Sequence, residues 1–275
     1  MKRYLVTAGC IVILNCWGCA LTTQLNTEEY VNISTVAVLT DASVTESNTM
    51  IDIIENQNAA KVVVDTAKLR LAEKGLTVNA QENVITVGSI YRDEAEFMVK
   101  NNAERNVSGQ NNGLPPPYFI DAPSFQEKKS QLIKLFRNLN RPQADVEIGA
   151  EPKPQETSYS VPYIKDLGLS SDAALIIKMH GVVYRREEIM EDFAKKMVIG
   201  LLTRSQRSGG RSDSASLELF LLNVRTGEVL WTATFYGGAP SAEMFNDRLD
   251  DFINKLPSLK KDGTQDKEIA KTAAQ

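Results

Sequence analysis

Hydrophobic positions along the chain follow two rhythms, short β-branched runs and stripes that repeat every three or four residues. Residues 34–40, Ser-Thr-Val-Ala-Val-Leu-Thr, are an apolar run between polar neighbours and predict a buried strand. Residues 41–57 are rich in Asn, Ser and Thr and read as a loop holding a short helix. In 59–74, Ala60, Val63, Val64, Ala67 and Leu71 fall on one helical face, and Gly75 stops the helix. Segments 76–78 and 84–87 then read as one interrupted strand or two short ones. A strand–helix–strand opening is the unit from which layered α/β domains are built.

The middle is less regular. Residues 93–105 read as a short helix, and 106–123, with Gly109, Gly113 and Pro115 to Pro117, as a loop. Ser124 and Glu127 have the spacing of a capping box, opening a helix with Phe125, Leu132, Ile133, Phe136 and Leu139 on one side. Residues 141–160 carry Pro142, Pro152 and Pro154 and read as linker, so about 79–160 is expected to be an irregular insertion in one domain spanning 34–257. Regularity then returns. A helical turn at 163–167 ends at Gly168, a central strand runs from 173 to 183, and 186–202 is an amphipathic helix. Residues 205–214 form a Gly-containing loop. Strands 216–222 and 229–235 flank the hairpin connection 223–228, and a last helix runs from Pro240 and Ser241 to Pro257. The lysine-rich residues 258–275 read as a disordered tail. The expected fold is α/β: a mixed-sheet α/β/α sandwich with a C-terminal β-hairpin and a final helix.

Composition acts mainly by exclusion. With 43% hydrophobic and 24% charged residues the chain can bury a core, and a net charge of −4 argues against nucleic acid as a partner. The first 22 residues change the picture more. Lys2 and Arg3 precede an uncharged, mostly apolar stretch from Tyr4 to Trp17, followed by Gly18-Cys19. This is the layout of a signal peptide over 1–18. Cys16-Trp17-Gly18-Cys19 resembles the bacterial lipobox in its last two positions, which makes Cys19 the expected lipidation site. Ala20 then fits the sorting rule for export to the outer membrane. Cys10 is a rival site with too little apolar chain before it. The alternative is an uncleaved membrane anchor, which at 18 residues from Tyr4 to Leu21 is barely long enough. All three cysteines lie in this leader, so no disulfide, Cys-based metal site or thiol nucleophile is expected in the body. Residues 19–33 are expected to be a lipid-anchored tether.

At 166–183, Gly168 followed by Ser-Ser-Asp172-Ala173 and an apolar run to Met179 resembles a strand of a group of envelope lipoproteins, and 217–231, with Arg225-Thr226-Gly227-Glu228, resembles their later hairpin. The group includes the curli secretion lipoprotein CsgG, the activator LpoB and the N-terminal domain of TolB. The resemblance covers 34–88 and 161–256, and implies an α/β/α sandwich with a binding or assembly role and no enzymatic site. The long alternating hairpins that a membrane pore requires are missing from 79–160.

Candidate chemistry is sparse. His180 is the only histidine, which excludes a multi-histidine metal site, and at the end of a buried strand it is expected to be a hydrogen-bonded structural residue. The carboxylates at Glu191 and Asp192 sit four residues before Lys195 and Lys196, which is the spacing of helix-surface ion pairs. Arg204, Arg207 and Arg211 share one loop without an acid and could meet an anionic group. Tyr118 and Phe119 after the proline run could dock a partner. No cofactor or metal is expected. These features point to a non-catalytic, periplasm-facing lipoprotein at the outer membrane that binds an envelope protein or assembles as a homo-oligomer. A binding protein for a lipid or glycan fragment is the alternative, recognisable by a deep apolar cavity. A carboxylate hydrolase would need a close buried carboxylate pair in a cleft.

Overall fold

A computed structural model describes residues 19–47, 50–91, 98–100, 116–139, 160–184 and 212–259. Its central element is the twelve-residue strand β2, Thr35–Glu46. The expected strand ended at residue 40, because Asp41, Ser43 and Thr45 look like loop residues. In the structure they alternate with Ala42 and Val44, and all three are buried. Alternation of period two is a strand signal even when one of the two faces is polar. On the edge of β2 opposite β8, the strand pairing is interrupted at Val44 between Ala42, which pairs with Val87, and Thr45, which pairs with Ile51, and the Asn56 amide stands in. Its Oδ1 accepts from the Val44 N–H at 2.8 Å and its Nδ2 donates to the Val44 carbonyl at 2.9 Å. A short strand β3, Met50–Asp52, then leads into helix α2, Ile53–Glu73, whose first N–H groups are capped by Asp52 Oδ1.

The described residues form ten strands in one mixed sheet. β4 (Thr77–Val78) and β5 (Val84–Val87) are two pieces of one edge, both parallel to β2. On the other side β2 pairs in parallel with β8, Ala173–Val183, over eleven residues, from Val36 opposite Ala173 to Glu46 opposite Val183. The hairpin β9 (Ser214–Asn223) and β10 (Val229–Tyr236) continues the sheet antiparallel to β8. Its turn depends on Gly227 at φ +76°, where an added Cβ would lie 2.8 Å from the Val161 carbonyl oxygen.

Three layers result, as the patterning predicts. One sheet face is apolar over most of its length, except at Thr40 and Asn223, and is covered by α2 and the last helix, α4 (Ala242–Asn254), which Ser241 caps. Arg70 of α2 binds Asp250 of α4 across the top of this layer. The other face is apolar only along the first halves of β2 and β8, at Ala37, Leu39, Ala174 and Ile176. There α3 (Lys129–Asn138) and the 3-10 segment Pro162–Leu167 cover it. The starts of β2 and β8 are tied by Asp172. One of its carboxylate oxygens accepts from the backbone and hydroxyl of both Ser34 and Thr35, at 2.6–3.0 Å. The Ser34 hydroxyl is the largest influence holding this carboxyl down at about 2.

Four expectations need correcting. Residues 19–33 are no tether: β1 (Cys19–Thr22) pairs with β10 and α1 (Thr27–Tyr30) brings Tyr30 into the core. Residues 79–160 are not simply an insertion, since β5, α3 and the short strand β7 (Phe119–Ile120) complete the sheet edge and its second covering layer. The capping box does not form: Pro123–Phe125 is a 3-10 turn begun by its proline, and α3 starts only at Lys129 without a side-chain cap. Within 93–105, Met98–Lys100 is a strand, β6, parallel to β3, rather than helix. The signal peptide at 1–18, the helix at 186–202 and most of the tail lie outside the described residues.

Tyr30 is fully buried and its hydroxyl donates to the Pro257 carbonyl at 3.0 Å. Tyr30→Ala should therefore lower unfolding stability by about 3–5 kcal/mol, measured by urea denaturation. A change near zero would return residues 19–33 to the status of tether.

Candidate functional site

Beyond Leu39 and Ile176 the second sheet face turns from apolar to polar. Two successive rungs run across β2, β8 and β9. In the first, Asp41 lies opposite Lys178 and Lys178 opposite Glu218; in the second, Ser43 lies opposite His180 and His180 opposite Ser216. All six positions share one face because side chains on a strand repeat every two residues. The rungs stand at the carboxyl ends of two parallel strands. The crossover from β2 passes through α2 on one face, whereas the return from β5 to β8 passes through α3 on the other. Such a switch point is where open α/β sheets form crevices.

Asp41 is buried and fully engaged. Its Oδ1 accepts from the Thr86 hydroxyl at 2.6 Å and the Ser89 N–H at 2.8 Å, and its Oδ2 accepts from the Ser43 hydroxyl at 2.6 Å. Lys178 Nζ donates to Glu218 Oε2 and to the Leu139 carbonyl, each at 3.0 Å. Arg137 of α3 donates to the carbonyls of Ser89 and Tyr91, holding the 88–91 turn against the helix. The Tyr91 hydroxyl closes the turn on the Ser43 carbonyl at 2.8 Å, and its ring stands edge-on to His180. Lys178 and Glu218 thus compensate one another, while Asp41 is satisfied by neutral donors and Arg137 by backbone carbonyls.

A cleft of about 210 Å³ opens above the rungs, lined by Ile90, Phe136 and Arg137 and by Lys178, His180, Ser216 and Glu218. It is neither deep nor apolar, so it does not match the cavity expected of a lipid carrier. Asp41 and Glu218 are kept apart by the intervening Lys178 strand, so they are not the close carboxylate pair a hydrolase would need. Among the described residues the His180 ring makes no hydrogen bond, and its aromatic contact is with Tyr91. Ser216 and His180 face each other across the ladder with no hydrogen bond between them.

Of the other candidates, Tyr118 lies with its ring against Gly88, where an added Cβ would be 2.5 Å from it, and Phe119 pairs with Val87. Both are half-buried parts of the sheet margin. Arg204, Arg207, Arg211 and the side chain of Cys19 lie outside what the structure describes. The polar rungs are hidden in the sequence because Asp41 and Ser43 stand in a stretch whose Asn, Ser and Thr content reads as a loop. The signal that could have found them is the alternation from 40 to 45.

No family model and no curated protein matches the chain. Among the solved structures that overlap it are two PelC dodecamers from Paraburkholderia phytofirmans. One, a leucine-to-methionine variant, is 14% identical with a TM-score of 0.31 over 88% of this chain and 98% of its own. The other is 13% identical with a TM-score of 0.29 over 88% and 96%. At those scores the overlap assigns neither assembly nor role to this chain.

Burial lowers the pKa of His180, with Lys178 adding to the effect and Glu218 and Asp41 opposing it. The folded state then holds its proton less tightly than the unfolded chain does. The neutral ring's contribution is full above about pH 6.5 and is lost as pH falls below it. Urea stability should drop between pH 7.5 and 5.5, and His180→Gln should flatten that drop. An equal drop in the variant would remove His180 as its source.

Proposed function

We propose that the chain is a non-catalytic lipoprotein, acylated at Cys19 and held at the periplasmic face of the outer membrane. There it binds other envelope proteins, or further copies of itself, in export or cell-envelope assembly. The leader pattern, with Lys2, Arg3 and an uncharged run ending at Gly18-Cys19, supports the anchor. The observation that carries partner binding is the outer edge of β1. Among the described residues β1 pairs only with β10, and Ala20, Leu21 and Thr22 are exposed. The strand has no charge and no proline, the usual devices that discourage a further strand from adding. Such an edge can accept an extended segment through main-chain hydrogen bonds.

The anchor and the edge coincide. Cys19 opens β1 itself, opposite Tyr236. An acyl chain there would hold the edge beside the bilayer without a spacer, and exposed Leu21 and Tyr236 would lie at the same margin. The partner is then one that reaches the membrane surface.

Metabolic labelling with an alkyne fatty acid should mark the protein in the membrane fraction, and Cys19→Ala should abolish the label. A photo-crosslinker at position 21 should trap a discrete adduct. Unlabelled protein in the cytosol would overturn the anchor, and labelled protein that gives no adduct would overturn binding at β1.

A further inference from the structure

The hydrogen-bonding capacity of the cleft above the polar rungs is only partly used. Glu218 Oε2 is taken by Lys178, while Oε1 has no partner among the described residues. Lys178 spends two of its three N–H groups, on Leu139 and Glu218. Ser216 and the His180 ring make no hydrogen bond among the described residues, though both line the cleft. Among the described residues the open groups are therefore one carboxylate oxygen, one ammonium hydrogen, one hydroxyl and one imidazole. Beside them stands an apolar wall of Phe136 and Ile90.

We propose that this cleft binds a neutral vicinal diol, the pair of adjacent hydroxyls carried by a sugar ring or a glycerol unit. Lys178 already faces Glu218 as an ion pair, and Arg137 is turned to the Ser89 and Tyr91 carbonyls, so a charged ligand would have to displace one of these partners in a partly desolvated place. A diol leaves the Lys178–Glu218 pair intact. One hydroxyl donates to Glu218 Oε1 while its neighbour accepts from Lys178 Nζ, two groups already 3.0 Å apart through their shared bond. Ser216 and His180 supply a further donor and acceptor, and Phe136 meets the carbon-bound hydrogens. About 210 Å³ is below the ~300–1,000 Å³ typical of drug-sized ligands, which limits the occupant to about one ring. The site does not require acylation of Cys19 or a partner at β1.

The only histidine of the chain lies in the cleft, so the imidazole proton resonances report its occupancy without labelling. The folded chain would be titrated separately with glycerol, methyl α-D-glucopyranoside, 1,3-propanediol and inorganic phosphate. A saturable shift of the His180 signals with either diol, and none with 1,3-propanediol, is expected. Response to the glucoside alone assigns a sugar ring; response to glycerol as well assigns a glycerol unit. Ser216→Ala should weaken binding about threefold and Glu218→Gln about tenfold or more, with the fold of each checked by circular dichroism. Should Glu218→Gln fail to fold, Ser216→Ala carries the test. A shift with phosphate but with neither diol, an equal shift with 1,3-propanediol, no shift at all, or full-strength binding by folded Ser216→Ala would each overturn the proposal.

Discussion

The parallel ladder between β2 and β8 is the constraint on which the other features depend. Its eleven paired positions set one alternation for both strands, and β9 inherits the same phase through its antiparallel pairing with β8. A slip of one residue would exchange the two faces completely. It would turn Val38, Leu175 and Leu219 away from the α2 and α4 layer and bring Asp41, Lys178 and Glu218 into it. The cost of burying those charges in an apolar layer makes the register unambiguous. Asp172 pins the same ladder at its start, where a single carboxylate oxygen gathers four donors from Ser34 and Thr35.

Given that register, the division of the second face into apolar and polar halves follows from which residues occupy alternate positions. Ala37, Leu39, Ala174, Ile176 and Phe220 make a floor for α3. Farther along, the same face carries Asp41, Lys178 and Glu218, and α3 ends near them. Leu139, just past the helix, gives its carbonyl to Lys178. A helix continued over this ground would have buried the ion pair completely. Instead the helix stops, Arg137 reaches back to the 88–91 turn, and a cleft is left over the ladder. Charge compensation among neighbouring strands is why this half of the face can remain partly buried without collapsing the sheet.

Much of the fold was legible in the linear pattern because each element carried its own period and its own stop. The α2 stripe, the β9–β10 hairpin around Gly227, the turn ending at Gly168 and the Ser241-capped last helix all appear where local chemistry places them. The errors share a cause. Asp41 to Glu46 and Cys19 to Tyr30 are polar or mixed segments whose structure is imposed by distant partners: β8, Asn56 and Thr86 for the first, β10 and Pro257 for the second. Local composition cannot show partners that lie from 12 to 227 residues away along the chain. At Ser124 the opposite happened, and a valid local cap was overridden by Pro123 and the burial of Phe125.

The sequence alone therefore determined the α/β character, the position of most helices and strands, and the concentration of cysteine at one end. Those follow from periodicity and composition, which are properties of neighbours along the chain. Tertiary structure decided that Asp41, Lys178, Glu218, Ser43, His180 and Ser216 form one surface, and that the segment after Cys19 is a sheet edge. These residues lie on three strands, with β2 more than a hundred positions before β8, and Lys178 of β8 and Glu218 of β9 40 residues apart. Only pairing, with its fixed spacing between strands and its two-residue alternation, brings them to a common face.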